Sequence, residues 1–278
     1  MADGESTRDA VTFEFDADGF LTDRISEFEA VIQTSCPVYF QKSRKLNNDC
    51  HKLLFSTPVR NRDPKAVAVA SLLMRALEHY QAVNVLLARG MIVAARVSLR
   101  ALIEGVFKLR AIVQDEEAFK VFLTEDSRNR KKTINKINSY PHLFSSEGGN
   151  DGLSESFKEA DDHICAVGVK EFRVEEWSRR AGMHDWYILV YSQLSQAIHT
   201  QPRDLESHMV FGMSGEVEKF NYVNSIEKIP FLLLTSMHVL LVAIAAFDNN
   251  FDSEFESKGT EYKKFIDDGF ESLCEDSI

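Results

Sequence analysis

The sequence predicts an almost wholly α-helical protein, an antiparallel helical bundle with a long central helix hairpin. The 278 residues include only 13 glycines and six prolines, which is few for a protein built from strands and turns. No strict alternation of apolar and polar residues continues long enough to indicate a sheet. Apolar residues instead recur every three or four positions over long stretches, which is typical of helices that bury one face.

The central hairpin is predicted between positions 63 and 113. Asp63 can accept hydrogen bonds from free backbone N–H groups, and Pro64 is tolerated at the first helical position, so a helix should begin here. Gly90 should end it in a left-handed turn. A second helix follows at 91–113, and its apolar residues step by three and four in a heptad seam: Ile92, Ala95, Leu99, Leu102, Val106, Leu109 and Val113. Because the turn is short, the two helices should be antiparallel.

Further helices are expected on both sides of this hairpin. Before it they should occupy 21–35 and 38–55. After it they should occupy 116–138, 154–167, 174–180, 183–199, 203–212, 229–247 and 260–274. Positions 139–152, which include a proline and three glycines, should form a loop.

Negative charge is concentrated at the two ends of the chain, whose net charge is −11. Positions 1–29 carry nine acids and two bases, and positions 248–278 carry ten acids and three bases, so the middle is mildly basic. Such ends are usually solvated. We therefore expect an acidic, flexible N-terminal segment at 1–19, a helical bundle domain at 20–247 and an acidic C-terminal tail with one helix at 248–278. The alternative is that the acidic ends shield a basic surface.

Positions 229–247 carry no formal charge over 19 residues, which is long enough to span a membrane. Polar side chains interrupt this stretch at 235, 236 and 238, a proline stands near its start, and an acidic segment follows it. These features favour a buried core helix, and we expect no membrane partner.

Several classes of function are disfavoured by the motifs. The four cysteines show neither a C-x-x-C pair nor zinc spacing, which is typical of reduced cytosolic thiols. Positions 1–8 are polar and lack the apolar core of a signal peptide. The sequence contains no Glu-x-x-His pair and no H-E-x-x-H motif, which are typical of metal sites. It also contains no phosphate-binding loop, no dinucleotide-binding motif and no nucleophile elbow. We therefore expect a cytoplasmic protein that uses no metal and no cofactor.

A ladder of charged residues lies along one flank of the second hairpin helix. Arg96, Arg100, Glu104 and Lys108 are spaced by four, so each step between opposite charges suits an ion pair. Charges beside an apolar seam need partners, and Arg75, Glu78 and His79 of the first hairpin helix could supply them. Two interpretations stay open: a polar network that fixes helix register, or a pocket that holds an anionic ligand or orients a catalytic group.

A second stripe at helical spacing occupies the predicted helix 183–199. Its members are Tyr187, Tyr191, Ser195 and His199. The histidine stands at the helix C-terminus, where the helix dipole stabilises a protonated imidazole. The stripe fits a half-buried aromatic face with a capping histidine, or a site at which Ser195 and His199 meet Arg100 and Glu104.

The segment from Arg203 to His208 matches the pattern of HEPN ribonucleases, in which four to six residues separate an arginine from a histidine. Metal-independent RNA cleavage needs a cation for the phosphate and an acid–base group for the 2′-hydroxyl or the leaving oxygen. Asp204 suits the polar position after the arginine. The pattern is loose, since positions 44–51 and 179–184 also fit it.

One dense basic run stands late in the predicted helix 116–138. It consists of Arg128, Arg130, Lys131 and Lys132. Such a run could contact RNA phosphates. Its alternative interpretation is a solvated helix face without a function.

Two of these patterns together resemble an all-helical bacterial family of unknown function. One is an R-x3-E motif at Arg100 and Glu104, and the other is a Y-x2-L-S-x3-H motif that begins at Tyr191 and contains Ser195 and His199. The resemblance covers positions 65–205. It implies that Arg100, Glu104, Ser195 and His199 are site residues, and it implies no particular activity. A distant relation to HEPN-type bundles is fold-level analogy.

Two functions stay open, so the sequence does not decide whether the chain is an enzyme. The leading hypothesis is a helical protein of a bacterial stress or defence system that acts on RNA as a metal-independent, HEPN-like endoribonuclease, with two motifs meeting in a dimer. Arg203 would bind phosphate, His208 or His199 would transfer protons, and Arg100 and Glu104 would orient the site. The alternative is a non-catalytic helical binding module for a protein partner, a second copy or a small molecule.

Overall fold

The structure is a computed structural model that describes residues 17–59, 62–140, 150–198, 202–220, 226–251 and 255–275. Within these residues the fold is all-α, as the sequence predicts. The helices are α1 (Ile25–Ser35), α2 (Pro37–Ser56), α3 (Pro64–Ala88), α4 (Ile92–Gln114), α5 (Glu116–Ser139), α6 (Asn150–Val167), α7 (Val174–Arg180), α8 (His184–Trp186), α9 (Ser192–Ile198), α10 (Pro202–Leu205), α11 (Ile229–Phe251) and α12 (Glu256–Glu275). Short 3₁₀ segments lie at Gly19–Leu21, Glu206–His208 and Ile226–Lys228, and a π-helical turn, Tyr187–Tyr191, joins α8 to α9.

The α3–α4 hairpin begins and turns at the predicted residues. The Asp63 carboxylate accepts hydrogen bonds from the backbone N–H groups of Lys65 at 3.0 Å and Ala66 at 3.1 Å. At the other end Gly90 adopts a φ of +70°, and the N–H of Met91 donates to the Leu86 carbonyl at 2.9 Å. This is the bonding of a Schellman turn, which satisfies the last carbonyls of α3. The two helices therefore pack antiparallel, and they form the largest contact in the bundle.

The heptad seam of α4 lies in the core. Six of its seven residues are buried, and Val113 packs half-buried against the same core. Residues 103, 107, 111 and 112 are also buried, so α4 is enclosed on more than one side. α3, α11, α7, α5 and α9 surround it. The four charged side chains of the predicted ladder lie along one flank of α4.

The uncharged stretch near the C-terminus forms a core helix. Thirteen of the 23 residues of α11 are buried, and the helix packs on α2, α3, α4 and α12. The Thr235 hydroxyl donates to the Phe231 carbonyl at 2.7 Å, and the Ser236 hydroxyl donates to the Leu233 carbonyl at 2.8 Å, so neither leaves an unsatisfied group. Residues 226–251 are the one described helix with the length and composition of a membrane span, and 67% of its most apolar window is buried inside the protein.

The expected C-terminal tail contributes a packed helix. α12 covers α11 and buries Tyr262, Ile266 and Gly269. The Tyr262 hydroxyl donates to the Asp49 carboxylate of α2 at 2.7 Å, so α12 also touches the start of the chain. α11 continues past the expected boundary at 247 to Phe251. Most of the expected acidic N-terminal segment, 1–16, lies outside the described residues.

Two predicted helices differ from those observed. The helix expected at 203–212 is wrong beyond His208, because Met209–Phe211 forms a strand, β1, that pairs antiparallel with β2, Val217–Phe220. The turn between the strands places Gly215 at a φ of +87°, and the valine and aromatic residues on both sides favour strands. The helix expected at 183–199 is divided by the π-helical turn, a form in which each turn holds one extra residue.

We predict opposite effects for alanine at two glycines of the hairpin. A Cβ on Gly90 would meet Phe28 Cε1 at 2.8 Å, on a backbone whose positive φ disfavours side chains. Gly90→Ala should therefore lower the free energy of unfolding by about 1–3 kcal/mol. A Cβ on Gly105 of α4 meets no atom within 4 Å, so Gly105→Ala should raise it by about 0.5–1 kcal/mol. Urea unfolding of both variants measures the sign of each change in the free energy of unfolding. Destabilisation by Gly105→Ala would contradict the open space around this position of α4.

Candidate functional site

The candidate site is built on the charged flank of α4. Arg100 Nη2 lies 3.1 Å from Glu104 Oε1, so the predicted arginine–glutamate ion pair forms. The next step of the ladder does not pair, because Lys108 Nζ binds Glu125 Oε2 of α5 at 2.8 Å instead. The residues of α3 that were expected as partners stay apart from the ladder, since Arg75 pairs with its own neighbour Glu78 at the surface.

Tyr191 is the residue that closes the network. Its hydroxyl donates to Glu104 Oε1 at 2.5 Å and accepts a hydrogen bond from Arg100 Nη2. The Arg100 guanidinium also lies over the Tyr191 ring, 4.7 Å from its centroid, which adds a cation–π attraction. Burial, together with the hydrogen bond to the Glu104 carboxylate, raises the pKa of Tyr191 to about 12. The phenol therefore stays protonated at neutral pH and remains a donor to Glu104.

The π-helical turn presents Tyr191 to α4. The N–H of Ser192 donates to the Tyr187 carbonyl five residues earlier, which widens the turn and rotates the residues that follow. Tyr187 stacks on Tyr191 with ring centroids 5.3 Å apart, and His184 stacks on Tyr187 at 5.9 Å. The stacked rings of His184 and Tyr187 thus pack against the ring of Tyr191 and hold it in place. π-helical turns are frequent at functional sites.

One donor of the network has no partner. Arg100 Nε is buried and, among the described residues, forms no hydrogen bond. An unsatisfied buried N–H costs about 1–3 kcal/mol. Nη2 of the same guanidinium contacts both Glu104 and the Tyr191 hydroxyl, and these two contacts orient the side chain. This N–H is a donor to which a water molecule or a ligand oxygen could bind.

Arg96 joins the arginine–histidine segment to α4. It forms an ion pair with Asp204 of α10, and its Nη2 donates to the Gln193 carbonyl of α9 at 3.3 Å. The Asp204 side chain is only 8% exposed, so this pair is largely shielded from water. Asp204 directly follows Arg203, so the pair fixes that segment one helical turn from Arg100. Sequence reasoning had proposed Asp204 only as a residue that suits the motif.

The other predicted site residues are placed as follows. His208 ends the 3₁₀ segment that follows α10 and is partly buried. Arg203 lies in α10, and its side chain is outside the described part of the structure. Ser195 donates its hydroxyl to the Tyr191 carbonyl at 2.9 Å, so it braces its own helix instead of bonding to Arg100 or Glu104. His199 is outside the described residues.

Each cation of the basic run is paired within the bundle. Arg130 pairs with Asp126 on α5 at 2.7 Å. The other three reach across to α6 or to the segment after it: Arg128 donates to the Val169 carbonyl, Lys131 pairs with Asp161, and Lys132 pairs with Glu171. RNA contact by this run stays a prediction, and these pairings give the run a structural role in holding α6 to α5. Among the described residues, histidine, cysteine and carboxylate side chains do not gather in groups of three that could hold a metal ion.

We predict that the Tyr191 hydroxyl stabilises the fold and that the neighbouring Tyr187 hydroxyl does not. Tyr191→Phe removes a donor from Glu104 and an acceptor from Arg100, and it should lower the free energy of unfolding by about 1–3 kcal/mol. The Tyr187 hydroxyl has no hydrogen bond among the described residues, so Tyr187→Phe should change it by less than about 0.5 kcal/mol. Urea unfolding at neutral pH measures the free energy of unfolding of both variants. Equal losses in Tyr191→Phe and Tyr187→Phe would contradict the hydrogen bonds of the Tyr191 hydroxyl to Glu104 and Arg100.

The raised pKa of Tyr191 also makes the difference in stability between the parent protein and Tyr191→Phe depend on pH. The ordinary value for tyrosine is 10.0 and the folded value for Tyr191 is about 12, so its contribution is complete below pH 10 and is lost as the pH rises through 12. The stability advantage of the parent protein over Tyr191→Phe should therefore shrink across this interval. An advantage that stays constant from pH 8 to pH 12 would show that the phenol is not held protonated.

Both motifs of the candidate site lie within one family domain. A family model described as DUF5677, a family of unknown function, matches residues 66–217, from the first turn of α3 to the first residue of β2. This span contains Arg96, Arg100, Glu104, Tyr191 and Asp204. No curated protein and no solved structure matches the chain. Since the match covers more than half of the 278 residues, the protein belongs to the family of unknown function DUF5677.

Proposed function

We propose that this protein cleaves RNA as a metal-independent, HEPN-like endoribonuclease whose catalytic pair is Arg203 and His208. The observation that carries the proposal is the shielded ion pair between Arg96 and Asp204. It attaches the arginine–histidine segment to α4 one helical turn before Arg100, so this segment lies beside the Arg100–Glu104 pair. A bacterial stress or defence response is the setting that this proposal implies.

The chemistry follows from the residue types. Arg203 would bind the scissile phosphate, because a guanidinium matches two phosphate oxygens at once. His208 or His199 would take the proton from the ribose 2′-hydroxyl as that oxygen bonds to phosphorus, and a protonated histidine would give a proton to the departing 5′-oxygen. The products are a 2′,3′-cyclic phosphate and a free 5′-hydroxyl. The two motifs needed for both proton transfers would come from two copies of the chain.

Arg100 and Glu104 would act as positioning residues in this scheme. They are bonded to each other and to Tyr191, so they hold α9 against α4. The buried Nε of Arg100 has no hydrogen-bond partner among the described residues and is a donor available to a phosphate oxygen or a bound water. This arrangement holds the π-helical turn, and with it the start of α9, against α4.

The direct test is RNA cleavage with a metal chelator present. The parent protein should cut single-stranded RNA and leave 2′,3′-cyclic phosphate ends. His208→Ala and His199→Ala should each reduce the rate by at least about 100-fold. His51→Ala is the matched control, because this histidine belongs to the loosely matching segment 44–51 on α2 and stacks on Phe55 at 5.1 Å. RNA that stays intact at high protein concentration, or equal loss in the His51 control, would overturn the proposal.

A second test addresses the docking of the catalytic segment. Asp204→Asn should lower kcat by about 10- to 100-fold, since a displacement of about 1 Å is enough for this. Arg96→Gln should do the same, and the loss in the double variant should be smaller than the product of the two single losses, because both changes break the Arg96–Asp204 contact. Glu206→Gln, an exposed acid two residues further on, should keep the parent rate. Additive losses would show that Arg96 and Asp204 act separately.

The alternative is a non-catalytic binding module, and one observation favours it. The β1–β2 hairpin exposes large apolar side chains on both strands and the turn: Val210, Phe211, Met213, Val217 and Phe220. Apolar surface of this kind often contacts a protein partner or a second copy. α11 is already buried in the core, so it is not available for such a role. Intact RNA together with a stable dimer in solution would support this alternative.

A further inference from the structure

A cavity lies between α1, α2 and the end of α3, and none of the four ladder residues of α4 lines it. Its volume is about 410 Å³, within the range of about 300–1,000 Å³ that is usual for small-molecule sites. A second cavity of about 210 Å³ shares Gln33, Phe40 and Arg44 with it. Together they form one extended cleft beside α2.

The floor of this cleft is a buried polar network. The hydroxyl of Ser43 contacts both the Tyr80 hydroxyl and the carbonyl oxygen of the Asn84 side chain, and Tyr80 also donates to the Ser43 carbonyl at 3.0 Å. Ser43 and Tyr80 are fully buried. Burial raises the pKa of Tyr80, so its hydroxyl is protonated at physiological pH. The floor is therefore rigid and uncharged.

The walls offer amide groups with unused hydrogen-bonding capacity. Gln81 Nε2 donates to Asn47 Oδ1 at 2.9 Å, which leaves the Gln81 oxygen as an acceptor and the Asn47 nitrogen as a donor. No other hydrogen bond occupies these two atoms within the described residues. A paired donor and acceptor of this kind match the edge of a nucleobase. Phe40, Val85 and Ala88 form the apolar part of the lining, against which a flat ring can pack.

The charges of the cleft favour a single anionic group near its mouth. Arg89 is neutralised by Glu29, whose carboxylate lies 2.7 Å from Nε. Arg44 donates to the Gln33 side-chain oxygen, and among the described residues it has no carboxylate partner. It is exposed, so its remaining N–H groups can reach a ligand at the opening. One uncompensated guanidinium suits a phosphate.

We propose that this cleft binds a nucleoside monophosphate, with the phosphate on Arg44 and the base hydrogen-bonded to the Asn47 amide nitrogen and the Gln81 amide oxygen. The proposal does not depend on RNA cleavage, because none of these residues belongs to the α4 site. The ligand would be enclosed by three helices and would contact the network of Tyr80 at its inner end. The cleft is a binding site of its own, and six of the twelve residues that line its larger cavity lie before residue 66, where the family match begins.

The test is calorimetric titration of the full chain with AMP, GMP, CMP and UMP, and with adenosine, guanosine, cytidine, uridine and inorganic phosphate as separate probes. At least one nucleotide should bind, its nucleoside should bind more weakly, and phosphate alone should bind weakest. Arg44→Gln should weaken the nucleotide by about tenfold or more and leave the nucleoside unchanged. Gln81→Met keeps the side-chain length without the amide, and it should weaken both.

Two controls separate this proposal from others. Lys52→Gln removes an exposed positive charge from α2 outside the cleft, and it should bind like the parent. His208→Ala should also keep nucleotide binding, because the α4 site is not involved. Absence of binding by all four nucleotides would overturn the proposal, as would phosphate alone binding as tightly as a nucleotide. Parent-like binding by both Arg44→Gln and Gln81→Met would overturn it too, and circular dichroism confirms that each variant is folded.

Discussion

Burial of α4 is the constraint on which the rest of the structure depends. Other helices surround most of this helix, yet it carries Arg96, Arg100, Glu104 and Lys108 along one flank. Charges taken from water cost several kcal/mol each unless they find partners. Each of the four has a partner on another element: α10 for Arg96, the π-helical turn for Arg100 and Glu104, and α5 for Lys108. The need to pair the α4 charges therefore determines which elements pack on this side of the bundle.

Local signals made the hairpin predictable. Asp63 and Gly90 act through their own neighbours, and the heptad seam follows from spacing alone, so sequence reasoning placed all three correctly. The hydrogen-bond partner of Glu104 could not be predicted from local signals in the same way. Lys108 stands one turn away on the same helix, but Tyr191, 87 residues away in the chain, makes the hydrogen bond. Spacing shows which pairs can form, and only tertiary packing decides which one does.

Tyr191 illustrates why part of the site was missed. It was recognised as the first residue of a motif and as part of an aromatic stripe, which more often indicates a core face than a site. In the structure it has both roles, because its ring packs in the core while its hydroxyl joins Glu104 and Arg100. The basic run on α5 shows the opposite case. Its partners Asp161 and Glu171 are 30 and 39 residues further along the chain, so their pairing could not be read from the run itself.

Gly90 connects the two regions to which functions are proposed. Because it has no side chain, Phe28 and Ile32 of α1 pack directly against the turn, and this contact places Glu29 and Gln33 in the wall of the cleft. The same turn sets where α4 begins, and Arg96 follows six residues later, about 9 Å along a helix. A side chain at Gly90 would push α1 away from the cleft wall and strain the start of α4 together. The close approach at this one glycine thus sets the geometry of both regions, although their proposed ligands contact different residues.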